Sequence, residues 1–184
     1  QEVIFLPLND IESVKNEIAK GDISSVIIEA IQGVGGLDEG TTSFFQELEK
    51  VCKENGVILI LDEIQCGYGR SGKFFAHIIS LAKGMGNGFP IGGILISPEF
   101  KASFGLLGTT FGGNHLACAA ALAVLEVFEN EKILDNVNTL SAYFMEKFST
   151  IPQIKKIKGR GLMLGLEFDF EVADLRKKLI YEKK

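Results

Sequence analysis

The stretch ILILDEIQCGYGR at residues 58–70 constrains this chain more than any other. The unbroken apolar run Val57 to Leu61 ends in two carboxylates, Asp62 and Glu63, followed by Gln65 and a glycine-rich turn. A short all-apolar run bounded by turn signals reads as a strand buried on both faces, as in a parallel sheet. An acid at its carboxyl end then stands where open α/β sheets bind ligands. Alternatively, Asp62 simply caps the turn that follows.

Two further runs bear on that choice. SVIIEA leads from Ser25 through Ile28 into Glu29, and IISLAKGMGNG leads from Ile78 through Ala82 into Lys83. Each run ends in one ionisable residue. If the three strands are parallel neighbours, Glu29, Asp62 and Lys83 meet at one edge of the sheet. A lysine among apolar residues and backbone dipoles loses proton affinity and becomes a nucleophile able to form a Schiff base. A carboxylate near it can hold a protonated ring nitrogen. Pyridoxal phosphate chemistry asks its protein for that pair. The plain alternative for Lys83 is an ordinary surface lysine after a strand.

With these residues in view the chain resembles the class III (ornithine-type) aminotransferases of fold type I, nearest to the acetylornithine and succinylornithine enzymes. The resemblance rests on IIEAIQGVGG, LILDEIQCGYGRSGKFFAH, SLAKGMGNGFPIGG, GLLGTTFGGNHLACAAALAVLEV and GRGLMLGLEF, in the family's order across residues 25–168. It implies a mostly parallel α/β sheet with helices on both faces: part of the large pyridoxal-phosphate-binding domain over residues 1–130. A linking helix and the start of a small C-terminal α+β domain would follow over 131–184.

The resemblance also implies roles. Lys83 would bind pyridoxal 5′-phosphate covalently and shuttle a proton, and Asp62 would pair with the ring nitrogen. Gln65 would donate to the phenolic oxygen; otherwise it is a solvated turn residue. Glu29 matches an acid close to the active site, where a purely structural role is the alternative. Thr110 matches a threonine that reaches the cofactor phosphate of the partner in a homodimer; otherwise it is a loop residue before a helix. The implied reaction moves an amino group between N-acylornithine and 2-oxoglutarate in arginine biosynthesis. Rivals are another class III reaction, such as an ornithine or 4-aminobutyrate aminotransferase or an aminomutase, or a non-catalytic relic.

Some family pieces are not seen in these residues. The glycine-rich phosphate loop, the aromatic that stacks on the ring and a substrate-binding arginine are expected upstream of Gln1, and the arginine for the substrate α-carboxylate beyond Lys184. The sequence therefore reads as an internal part of a longer enzyme. Val34 stands where much of the family has glutamate, and His77 runs into Ile78 where the family has extra residues.

Composition excludes several other classes. At 184 residues and 46% hydrophobic content the chain can bury a real core. A net charge of −5 without a basic block argues against nucleic acid or an anionic membrane. Three scattered cysteines and two histidines suggest neither a disulfide framework nor a zinc site. No apolar run is long enough to span a bilayer, and a reducing cytoplasm fits.

Local signals supply the remaining expectations. Residues 3–6 could finish a strand, and Asp10 should cap a short helix with Ile11, Val14 and Ile18 on one face, closed by Gly21. Ser43 with Gln46 suggests a capping box for a helix striped with Phe44, Phe45, Leu48, Val51 and Cys52, stopped at Gly56. Gly84 to Gly88 lack the GxGxxG spacing and read as a flexible loop. Ile91 to Ile96 should form a strand. Asn114 should cap a helix that is apolar nearly all round and hence tightly packed. An amphipathic helix should run from Ile133 past Phe148 to Pro152, LMLGLEF should be a half-buried strand, and a charged helix should start near Glu171.

Overall fold

The computed structural model describes residues 2–69, 79–101, 103–105 and 108–182. The junction at His77 and Ile78 lies outside the described residues. Helix α1 (Ile11–Ile18) starts where Asp10 accepts the Ser13 amide at 3.1 Å and its hydroxyl at 2.6 Å. This removes a helix-start amide from the unpaired set. Strand β1 (Ser25–Ile28) is followed by α2 (Thr42–Glu54), β2 (Ile58–Asp62) and β3 (Ile79–Leu81). Strand β4 is Gly93–Leu95. These strands make one sheet in the order β1-β2-β3-β4, with β1, β2 and β3 parallel and β4 antiparallel at the edge.

Helices α1 and α2 pack on one face of that sheet. Leu48 is fully buried, Cys52 nearly so, and Phe44, Val51, Val14 and Ile18 complete the core with Val26, Ile28 and Leu59 beneath them. Each large side chain removed from water there contributes roughly 1.5–3 kcal/mol. The opposite face differs from the expectation of strands buried on both sides. Ile58 is 40% exposed and Ile27 and Ile94 are each 67% exposed, because no described element seals that face over them.

Helix α3 (His115–Asn130) contacts the turn that follows β3 and leads into α4 (Ile133–Ser149). Asn114 caps α3 as expected, its Oδ1 accepting the Ala117 amide at 2.9 Å. The expected all-round burial of α3 does not hold: only Ala117 and Ala121 are buried, and Leu116 and Leu122 face solvent. An apolar helix needs a neighbour on every side, and the described neighbours cover one stripe.

An antiparallel ribbon of β5 (Lys156–Arg160) and β6 (Met163–Glu167) follows, then α5 (Ala173–Tyr181), which buries no side chain. Strand β5 was not anticipated; its Lys156-Ile157-Lys158 alternation is the signal that was available. The ribbon docks on the loop after β1. Met163 joins Ile31 and Cys66 in a second small core, and Lys158 pairs with Asp38 at 3.0 Å. Arg160 pairs with Glu39.

Smaller expectations also change. Residues 3–6 form no strand and are exposed, because no neighbouring strand pairs with them. The cap of α2 is Thr41, whose hydroxyl accepts the Phe44 amide at 3.2 Å. Ser43 lies inside the helix instead, so the box with Gln46 does not form. Gly56, with φ of +66°, ends the segment as anticipated.

Candidate active site

Parallel register brings the three ionisable residues to one edge. Ile28 is aligned with Leu61, and Asp62 with Ser80, so all three strands point their carboxyl ends the same way. Glu29 follows β1, Asp62 closes β2, and Lys83 follows β3 after Ala82. Adjacent strands lie about 4.8 Å apart, so the edge reads Glu29, Asp62, Lys83 in consecutive lanes. Sequence alone anticipated this grouping.

Each member is held by the turn that follows its strand. Glu29 Oε2 accepts the Gly33 amide at 2.8 Å, which folds the next loop back over the strand end. Asp62 Oδ1 accepts the Ile64 amide at 3.0 Å, so Asp62 does cap its turn while keeping its place at the edge. The two readings of Asp62 are therefore compatible. Gln65 lies half-buried against Gly33: a Cβ on Gly33 would come within 2.5 Å of the Gln65 side chain. The two loops interlock because that position has no side chain. Val34, next along, is 89% exposed.

Lys83 is exposed and begins a single 3-10 turn, Lys83–Gly86. Its φ of +47° lies in the left-handed region, which a non-glycine residue enters only at a cost of about 1–2 kcal/mol. The glycine stretch is consequently not a loose loop. Successive turns order it, with the Met85 amide donating to Ala82 at 3.1 Å and the Phe89 amide to Gly86 at 3.0 Å. Tyr68, also at positive φ (+53°), packs against Gly84 and meets Phe128 edge-to-face at 6.3 Å.

Sequence reasoning named Glu63 only as the second carboxylate after the strand and gave no role to its partner Cys66, to Tyr68 or to Ser80. Glu63 is 7% exposed, and its carboxylate accepts the Cys66 thiol at 3.0 Å. Burial, then the hydrogen bond and negative charge of Glu63, push that thiol up to about 12. Tyr68 is raised by burial alone. Ser80, half-buried on β3 beside Asp62, has a buried Oγ with no hydrogen-bond partner. A lone hydroxyl inside the run IISLA was the available signal. Thr110 is not brought to the strand edge; it is exposed on the bend leading into α3.

A cleft of about 490 Å³ opens on the flank, between the loop after β1 and the ribbon, lined by Asn9, Gln32, Asp38, Glu39 and Lys158 among others. None of Glu29, Asp62 and Lys83 lines it. The ionisable residues at the strand edge thus lie apart from this cleft. Among the described residues no cluster of histidine, cysteine and acidic side chains could hold a metal ion, and no helix is long and apolar enough to cross a membrane.

The arrangement has close counterparts. The chain is 45% identical over 180 residues to the acetylornithine aminotransferase of Aquifex aeolicus (strain VF5), covering 92% of this chain and 47% of that protein. It superposes on the N-acetylornithine aminotransferase of Stenotrophomonas maltophilia K279a with a TM-score of 0.77 and 32% identity, covering 92% of this chain and 48% of that one. An ornithine aminotransferase from Toxoplasma gondii, described with partial occupancy of PLP at its active site, gives 0.79 and 30%, covering 91% and 44%. The chain thus spans about half the length of the curated relatives it matches. The sequence model of the family described as "Aminotransferase class-III" matches residues 2–183, and with an α/β fold shared with those structures, the chain belongs to that family.

Proposed function

We propose that the protein is a pyridoxal-phosphate-dependent aminotransferase that moves an amino group between an N-acylornithine, acetyl or succinyl, and 2-oxoglutarate, in arginine biosynthesis. The observation that carries the reading is the pairing of Lys83 and Asp62 at the carboxyl ends of adjacent parallel strands. The residues fit the cofactor on a second count: a buried hydroxyl without a partner stands beside Asp62, as polar groups awaiting a ligand do.

When bound, pyridoxal phosphate would supply an electron sink for the charge left at the substrate carbon that bears the reacting amine, the terminal carbon of an N-acylornithine and the α-carbon of glutamate. Lys83 would hold it covalently and, once displaced by the substrate amine, would take and return through its Nζ the proton on the carbon bearing that amine. Asp62 keeps a proton on the ring nitrogen by opposing its charge. Gln65 donates to the phenolic oxygen, and Glu29 closes the same edge. Thr110, with the amides at the start of α3, offers donors to the phosphate of a partner subunit's cofactor in a homodimer, since a capped helix start favours an anion. Domain boundaries near residue 130, between α3 and α4, suit a large cofactor domain followed by a linking helix and small domain. Cytoplasmic residence agrees with the free thiols of Cys52, Cys66 and Cys118.

The names of the sequence relatives favour the acylornithine substrate over ornithine itself, which several of the structural neighbours carry in their names. Borohydride reduction of the loaded protein, followed by peptide mapping, tests the central assignment. The pyridoxyl label is expected on Lys83, and a label on any other lysine overturns it.

A further inference from the structure

Ser80 is the only hydroxyl residue in the run Ile78 to Ala82, and its Oγ is buried with no hydrogen-bond partner. Ser80 is half-buried on the sheet face that no described element seals, but its Oγ atom is cut off from solvent, and a buried hydroxyl atom left unpaired costs about 1–3 kcal/mol, so native structures rarely keep one without a reason. Its ladder position narrows the reason. In the sheet Ser80 is aligned with Asp62 on β2 and with Ile94 on β4. Aligned residues project to the same face, so Ser80 and Asp62 are side-by-side neighbours on one surface. The other face is closed by Leu61 and Ile79, each 2% exposed, and Leu81 at 6%.

Of the two cross-strand neighbours of Ser80, only Asp62 has a side-chain acceptor. Its Oδ1 already takes the Ile64 amide, which leaves Oδ2 for a second donor. The hydroxyl has one proton to give, and Asp62 is the group that must stay anionic and correctly turned if it is to face a ring nitrogen.

We propose that Ser80 is a positioning residue: its hydroxyl, unpaired on β3, donates to Asp62 Oδ2 when a protonated ring nitrogen engages that carboxylate, and so fixes the carboxylate plane toward the cofactor. This rests on the reading of Asp62 as the ring nitrogen's partner. In the cofactor-free protein the hydroxyl is an unmet donor, whereas in the loaded protein it is part of a three-member chain from serine through carboxylate to ring. A hydroxyl of that kind has opposite effects in the two states. Removing it leaves the empty protein as stable or more so, yet weakens the loaded one.

The experiment compares wild type, Ser80→Ala and Ser80→Thr of the intact protein. Thermal unfolding is measured without cofactor, and binding is measured with pyridoxamine 5′-phosphate, which needs no covalent bond to Lys83. Ser80→Ala is expected to unfold at or above the wild-type temperature when empty and to bind about ten- to a hundredfold more weakly, the usual range for a hydrogen bond to a charged group. Ser80→Thr should restore most of the affinity. In an Asp62→Ala background the same Ser80→Ala change should cost less than about twofold, since the hydroxyl acts through the carboxylate. An empty Ser80→Ala protein that melts well below wild type would make the hydroxyl structural. An affinity loss of full size in the Asp62→Ala background would place Ser80 directly on the ligand. Unchanged affinity in Ser80→Ala would leave it no role. Any of these overturns the proposal, whereas failure of the wild-type protein to bind pyridoxamine 5′-phosphate overturns the cofactor reading beneath it.

Discussion

On the α1–α2 flank, Leu48 and Cys52 are sealed, and the helix starts are capped by Asp10 and Thr41. A few residues further along the same strands, at the carboxyl edge, Lys83 and Tyr68 sit at positive φ and the buried Oγ of Ser80 has no partner. The flank satisfies its caps and its apolar periodicity, with Asn9 alone at positive φ beside the α1 cap, whereas the edge gathers several departures within a short span. Strain of this kind persists only where the surroundings over-determine it, and the closed core directly beneath the edge can do that. The comparison teaches that stability and chemistry occupy different ends of the same three strands.

The sharpest way to break that division is Asp62→Asn, which keeps shape and removes charge. Turnover should fall on the order of 10²–10³-fold or more, the size of one preorganised electrostatic contribution, while the melting temperature barely moves. Turnover within about tenfold of wild type would remove Asp62 from the chemistry. Leu48→Ala probes the opposite end. Emptying a fully buried site should cost about 2–5 kcal/mol in denaturant unfolding, with the cofactor spectrum of the surviving folded protein unchanged. A spectrum altered in step with stability would mean that the flank and the edge are one unit.

Gly33→Ala should separate the two finely. The added Cβ meets the flexible end of Gln65, so stability should shift by no more than about 1 kcal/mol. Displacing Gln65 should nevertheless slow turnover on the order of ten- to a hundredfold. Equal activity would show that Gln65 is dispensable. The smallest expected effect is alkaline. The Cys66 thiol titrates near 9.0 when free and near 12 when folded, so the unfolded chain loses its proton first. Its contribution is whole below about pH 9 and drains away as pH rises toward 12, by at most one proton in the stability slope. Unfolding curves across that range, for wild type and Cys66→Ala, would measure it; identical slopes would mean that folding does not raise the thiol.

Burial also separates the cysteines. Cys66 is shielded and inert, whereas Cys118 is exposed on α3. Helix α3 repeats the lesson of the two regions on a single element. Its cap was plain from Asn114, but its packing was not, because a helix that is apolar all round does not say which side has a neighbour.

Much of the site was legible because it follows from local rules. Apolar runs ending in Glu29, Asp62 and Lys83 make strands, and where those strands run parallel their carboxyl ends align. The start of α1 at Asp10 and the stripe Phe44, Leu48, Val51, Cys52 were readable for the same reason: caps and periodicity act within a few residues. Tertiary structure alone decided the rest. Ser80 became a neighbour of Asp62 only through the β2–β3 register. Met163 reached Ile31 and Cys66 through a ribbon far along the chain. Such contacts depend on which distant segments approach one another, and a pattern of neighbouring residues carries no record of that distance.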